Sequence, residues 1–219
     1  MKIAAIQKLS LIDYPGMISS VIFTQGCNFR CGYCHNPSLV LPQSFGDFVL
    51  EAKVFDFLQT RIGKIEGVVI TGGEPTIQFD LVRLIKKIKA LGLSVKLDTN
   101  GSNPGMLKKI IDNKLIDFIA MDLKAPLNKY SAICNVNVDI ERIKKSIFYI
   151  KNSGIVKQFR ITAIKGIHTI EDLDSIKGII GDNITLQNFK FSGKHIGNSF
   201  SKENEFSSKE MDEFISILN

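Results

Sequence analysis

Residues 19–37 read SSVIFTQGCNFRCGYCHNP. The first six, Ser19 to Thr24, are β-branched and apolar enough for a buried strand. That strand runs into a loop holding Cys27, Cys31 and Cys34 within eight residues. Three thiolates at C-x3-C-x2-C spacing can wrap one soft metal centre, and sulfur suits zinc or iron–sulfur clusters better than magnesium or calcium. A disulfide suits the trio badly, because an odd set leaves one thiol over. Structural zinc needs a fourth ligand. His35 is next in line, but adjacent residues seldom aim both ligating atoms at one ion. A four-iron cubane can instead take three cysteines and leave one iron open to a substrate. Cluster, zinc and metal-free readings all stand at this point, in that order. The remaining cysteine, Cys134, lies 100 positions beyond Cys34 and reads as a small packed residue.

Outward from this loop, strand and helix signals alternate. Residues 1–18 form an extended lead-in that closes in a Pro15-Gly16 turn. Strands are expected at 19–24, 67–71, 94–99, 118–123, 157–164 and 184–189. Helices are expected at 47–61, 79–91, 104–113, 138–152, 170–180 and 207–218. Strands separated by helices mean βαβ units and a parallel sheet. No linker or second domain shows, so 1–219 reads as a single domain.

The polar and glycine-rich words fall at one end of the strands. CNFRCGYC follows the first, GGEP the second, DTNG the third, DLKAP the fourth and KFSGKH the sixth. Ligands bind at the C-terminal strand ends of parallel α/β sheets and barrels. Six units are too few for the closed eight-stranded barrel. The fold class expected is α/β, an open partial (β/α)6 barrel of parallel strands with outer helices; a doubly wound flat sheet is the alternative.

Composition sets the outer limits. The 219 residues are 44 % hydrophobic and 23 % charged, ordinary for a globular domain. No apolar run approaches ~20 residues, so no membrane span is expected. The first residues carry charges too close together for a signal-peptide core, which makes the cytoplasm the default. The net charge of +6 resides largely in lysine pairs among isoleucines, such as RLIKKIK at 83–89. That is the pattern of solvated helix faces, not of a nucleic-acid surface. A basic surface also suits an acidic protein partner or an anionic electron donor.

Bland roles exist for the other words. Gly72-Gly73-Glu74-Pro75 suits a tight strand-to-helix turn, or a backbone that a ligand approaches closely. His35 and Asn36 shape the loop by hydrogen bonding. Asp98, Thr99 and Asn100, and Asp122 with Lys124, suit turns, caps and a surface ion pair. Asp98 and Asp122 on neighbouring strand ends should repel unless a cation lies between them. His168 and His195 are read equally as surface or functional residues.

The cysteine loop, C-x3-C-x-aromatic-C with Tyr33 in the aromatic place, resembles the cluster-binding motif of radical S-adenosylmethionine (SAM) enzymes. LIDYPG at 11–16, FTQGCNFRCGYCHNP at 23–37 and TGGEPT at 71–76 resemble the activating proteins of anaerobic ribonucleoside-triphosphate reductase. The likeness runs over nearly the whole chain and weakens in the last third. It implies the open barrel, a [4Fe-4S] cluster on Cys27, Cys31 and Cys34, and SAM as cofactor. It further implies that Tyr33 lies beside the adenine and that Gly72, Gly73 and Glu74 hold the amino group of the methionine part. Asp98, Thr99, Asp122 and Lys124 would meet the sulfonium or a bound monovalent cation, with Lys124 reaching the methionine carboxylate. Arg160 matches a basic position near the cofactor. Lys190 stands where relatives carry histidine, and Asp13 matches an aspartate near the incoming glycine loop, with Tyr14 replacing a glycine.

The chemistry so implied is one-electron cleavage of SAM to a 5′-deoxyadenosyl radical, which takes a hydrogen from a backbone glycine of a glycyl-radical partner. The partner would be anaerobic ribonucleoside-triphosphate reductase. With four cysteines in all, the electron is expected from an external low-potential donor. The alternatives are a radical SAM enzyme acting on a small molecule, like 7-carboxy-7-deazaguanine synthase, and a non-catalytic zinc protein.

Overall fold

The computed structural model describes residues 1–181 and 184–218. Seven strands form one sheet in chain order: β1 (Ile3–Ser10), β2 (Ser19–Thr24), β3 (Gly67–Gly72), β4 (Ser94–Thr99), β5 (Phe118–Leu123), β6 (Val156–Ala163) and β7 (Ile184–Asn188). From β2 to β7 every pairing is parallel, and β1 pairs antiparallel with β2. A doubly wound sheet needs its strand order to reverse at a switch point. Here the order never reverses, and right-handed crossovers then put all the helices on one face. β1 and β7 lie at opposite edges, so the barrel is partial and open.

The lead-in is more than extended chain, because Ile3–Ser10 is itself a strand. It turns back through Tyr14, whose carbonyl accepts from Met17 N at 3.1 Å across Pro15-Gly16. Eight α-helices follow among the described residues: α1 (Pro37–Val40), α2 (Glu51–Gln59), α3 (Leu81–Ala90), α4 (Pro104–Asp112), α5 (Tyr130–Cys134), α6 (Ile140–Lys151), α7 (Ile170–Ile180) and α8 (Ser208–Leu218). Helix α2 starts later than its apolar spacing suggests, since Val49 N donates to Ile3 O at 2.8 Å and keeps that segment extended against β1. Helix α6 starts at Ile140 because the Asp139 carboxylate caps Glu141 N and Arg142 N.

Helix α3 shows how the layers join. Leu81, Leu84, Ile85 and Ile88 recur at helical spacing and are all buried, while its lysines face out. They join alternate strand residues, including Ile70, Val95, Leu97, Ile119 and Phe159, in the main core. The intervening residues of the same strands face the barrel interior. At its lower end Val21, Val69, Phe118 and Ala120 pack with Tyr14 in a separate apolar cluster. Lys96 starts level with Val69 and Phe118 on the same inward face, and Asp98, Asp122 and Arg160 follow it higher up. The interior therefore changes from apolar to charged toward the C-terminal strand ends.

Candidate active site

At those ends lies a cavity of about 550 Å³, lined by Cys27, Cys31, Cys34, Glu74, Asp98 and Lys124 among others. The three thiols that share eight residues of sequence thus also share one wall. Their loop is bound to the end of β3 through backbone alone. Gly73 N donates to Thr24 O at 2.9 Å, and Glu74 N donates to Gly26 O at 2.8 Å. A Cβ on Gly73 would lie 2.1 Å from Gly26 O, and one on Gly72 would lie 2.4 Å from Thr24 N. Both glycines admit the cysteine loop itself, a tighter demand than ligand approach.

Glu74 is buried and serves as the junction of three segments. Its Oε1 accepts from Thr76 N at 3.0 Å, from the Thr76 hydroxyl, and from Thr99 Oγ1 at 2.7 Å; Oε2 accepts from Asn100 N at 2.6 Å. Burial raises its pKa, and these donors work against that shift. Oε1 takes three of these four donors and Oε2 one, so Oε2 is the less engaged of the two oxygens. Asn100 Nδ2 donates to Asn28 Oδ1 at 3.1 Å and approaches Cys27 Sγ at 3.9 Å, tying the DTNG turn to the cysteine loop.

The two carboxylates on neighbouring strands do have a cation between them. Arg160 Nη2 lies 3.1 Å from Asp98 Oδ2, and Arg160 Nε lies 2.7 Å from Asp122 Oδ1. Lys96, fully buried, reaches Asp98 at 2.6 Å, and Lys124 stands 3.6 Å from Asp122. The result is an alternating row, Lys96–Asp98–Arg160–Asp122–Lys124. The compensating charge comes from the chain itself, where the sequence suggested a sulfonium or a bound monovalent ion. Burial would lower the Lys124 pKa, but Tyr33, Asp122 and Cys31 outweigh it and hold the ammonium charged.

Among the described residues, no three His, Cys, Asp or Glu side chains are placed to hold a single metal ion. Structural zinc demands four ligands at about 2.0–2.3 Å, so these residues do not fit it. Three thiols on one wall of a cavity of about 550 Å³ suit a larger group. Burial pushes Cys27 up to about 12 and raises Cys34, whereas a hydrogen bond from Cys134 draws Cys31 down. Cys134 is fully buried beneath the loop, where its carbonyl accepts from Arg30 N at 2.9 Å.

Not every residue singled out in the sequence reaches the cavity. Asp13 sits at the far end, in the turn beyond β1, with its carboxylate bonded to the Ser10 hydroxyl. Lys190 borders the cavity, yet its ammonium pairs with Glu205 at 3.0 Å and its side chain is 71 % exposed. His168 is buried, with Nδ1 accepting from Ile164 N and Nε2 bonded to Lys124 O, so it braces the β5 end. Tyr33 is buried edge-on against Phe200, with ring centroids 6.3 Å apart. Phe200, Asn28 and Ser102 escaped the sequence reading. Asn28 Nδ2 donates to Ser102 Oγ at 2.9 Å. The only signal for Phe200 was the aromatic density of FKFSGKHIGNSF at 189–200.

The profile of the radical SAM superfamily matches residues 21–177. This chain belongs to that superfamily. A Methanocaldococcus jannaschii protein named among glycyl-radical enzyme activating enzymes is 37 % identical over 186 residues, covering 82 % of this chain and 75 % of the relative. The pyruvate formate-lyase-activating enzyme of Clostridium pasteurianum is 33 % identical over 129 residues, 56 % of this radical SAM chain and 52 % of the relative, so the match spans about half of that enzyme. A solved structure of TYW1 with a lysine-pyruvate adduct superposes with a TM-score of 0.68 at 18 % identity, covering 91 % of this chain and 72 % of the other; at that identity the likeness concerns the fold. Membership of the superfamily implies a [4Fe-4S] cluster and SAM. The three thiols on one cavity, beside a wall of carboxylates and ammonium groups, fit both.

Proposed function

We propose that this radical SAM protein is an oxidoreductase that installs a glycyl radical on anaerobic ribonucleoside-triphosphate reductase. The observation that carries the activase reading is the 37 % identity to an activating-enzyme relative across 82 % of the chain. The words LIDYPG at 11–16 and MDLKAP at 121–126 favour an activase over a radical SAM enzyme acting on a small molecule, and the choice of the reductase rests on the resemblance of LIDYPG, FTQGCNFRCGYCHNP and TGGEPT to its activating proteins.

Cys27, Cys31 and Cys34 would hold the cluster and leave one iron for the amino-acid end of SAM. When bound, the pair supplies reductive one-electron cleavage of a sulfonium. Glu74 would accept the SAM amino group at Oε2, with Gly72 and Gly73 fixing the wall behind it. Lys124, held cationic by its neighbours, would meet the SAM carboxylate. Asp98 and Asp122 would face the sulfonium side, steadied by Arg160, while Thr99 keeps Glu74 in place. Tyr33 would border the adenine. The open edge between β1 and β7 leaves room for a protein loop to present its glycine. An external low-potential donor supplies the electron. The cytoplasm, which keeps thiols reduced, is the natural setting for four free cysteines.

Anaerobic reconstitution tests the proposal. Iron near four per chain, SAM cleavage by dithionite-reduced protein and a glycyl doublet on the added reductase in electron paramagnetic resonance support it. A doublet on pyruvate formate-lyase but not on the reductase would reassign the partner. Failure to load iron would overturn the reading entirely.

A further inference from the structure

The loop after β7 closes onto the cysteine loop carbonyl by carbonyl. Gly197 N donates to Gly32 O at 2.8 Å, and Ile196 N donates to Cys34 O at 3.1 Å. Between them, His195 Nδ1 lies 3.0 Å from Tyr33 O. Three successive carbonyls, 32 to 34, are thus engaged by three successive residues, 195 to 197. His195 Nε2 accepts from Ser192 N at 3.2 Å, which leaves Nδ1 as the protonated nitrogen and makes it the donor to Tyr33. The ring is wedged between Phe191, stacked at 5.3 Å, and Phe189, at 5.1 Å. Phe200 closes the contact: a Cβ on Gly32 would stand 2.9 Å from its ring, so any larger residue there would push the ring aside.

We propose that His195 is a positioning residue for the cluster loop. Its Nδ1–H fixes the Tyr33 carbonyl, and with it the Tyr33–Cys34 peptide in the short stretch that joins Cys31 to Cys34. Backbone amides alone could tie down residues 32 and 34. The middle carbonyl points where no backbone donor reaches, and it is bound only because a ring nitrogen projects from a strap anchored by three aromatic residues. A clamp of this kind lowers the freedom of two ligands before any cluster arrives, and afterwards slows the loop opening through which iron leaves. The inference rests on the cysteine loop as the seat of the cluster.

The test separates the hydrogen bond from the packing. His195→Phe keeps an aromatic wedge between Phe189 and Phe191 but has no donor. His195→Asn loses the wedge but presents Nδ2 where Nδ1 stood. Hydrogen–deuterium exchange of the peptide covering 29–36 in cluster-free protein is expected to quicken by up to about tenfold in His195→Phe, the scale of one hydrogen bond, and to stay within about twofold of the native rate in His195→Asn. Iron loss from the reconstituted protein under chelator should rank the same way. Native exchange in His195→Phe, or the reverse ranking, overturns the positioning role. If the native protein loads no iron, the functional reading fails, while the exchange rates still decide whether His195 holds the loop.

Discussion

Arg160 and Asp122 are register partners on β6 and β5, and their side chains meet at 2.7 Å on the inner face of the barrel. The same guanidinium reaches Asp98 one strand further on, at 3.1 Å. Removing one member of a buried charge pair costs more than the pair contributed, because the survivor stays desolvated. Arg160→Met leaves two such survivors. Its unfolding free energy in urea should fall by about 3 kcal/mol. Potassium or sodium chloride should restore part of the loss more effectively than choline chloride, since a small cation can enter between the carboxylates. Equal stability of Arg160→Met and the native protein would show that the row of charges is not coupled.

Two glycine substitutions separate backbone strain from collision. At Gly92, φ is +78° and nothing lies within 4 Å of an added Cβ, so Gly92→Ala carries backbone strain alone, about 1–2 kcal/mol. At Gly73 the new methyl would stand 2.1 Å from Gly26 O, a backbone atom at the root of the cysteine loop. Gly73→Ala is expected to abolish iron loading and to cost at least as much stability, whereas Gly92→Ala loads iron normally. Iron assays on both variants check the contrast.

Cys31 and Cys134 touch, but only Cys31 borders the cavity. Cys31→Ala should therefore eliminate the visible absorbance of the reconstituted iron–sulfur cluster. Cys134→Ala should retain it, at a stability cost of roughly 1 kcal/mol for a small buried side chain. Equal loss of absorbance in both would assign Cys134 a ligand role.

Glu51, at the start of α2, is held down to about 2 chiefly by its hydrogen bonds to Arg83 on α3. A carboxylate whose folded pKa is depressed stabilises the fold above its ordinary value of 4.5 and loses that contribution as pH falls toward 2. Arg83 is 48 % exposed, so solvent screening limits the effect to about 0.5–1 kcal/mol at neutral pH. Arg83→Ala should bring acid unfolding to higher pH, with the difference from the native protein fullest above pH 4.5 and fading as pH falls toward about 2, where the carboxylate takes up its proton. Superimposable acid titrations would refute the assignment.

The parallel core was legible because the strands are continuous β-branched runs, such as VVI at 68–70, punctuated by glycine words that the sheet collects on one rim. Strand β1 was less legible. Its burial alternates only partly, and an edge strand earns its hydrogen bonds from a neighbour already in place. At the site, types were readable and partners were not. Asp98 and Asp122 announced a need for positive charge, and the resemblance put Arg160 near the cofactor, but its pairing with both carboxylates, 38 positions beyond Asp122, was not readable. Glycines 72 and 73 looked like room for a ligand, and that room is filled by the protein's own backbone. The strap at 189–200 has neither helical nor strand period, so its grip on residues 32–34 emerges only from long-range contacts.

Tyr14, carried inward by the turn before β2, stands edge-on to Phe118 with ring centroids 5.9 Å apart. Together with Val21 and Val69 it floors the barrel with hydrocarbon. Traffic through the tube is thereby barred, and arrivals and departures at the thiols must share the rim and the unsewn seam. Under the activase reading proposed above, a visiting polypeptide that covered the rim and the seam would also seal in whatever small molecule had entered before it, so loading would precede docking and the spent fragments would leave after the visitor did.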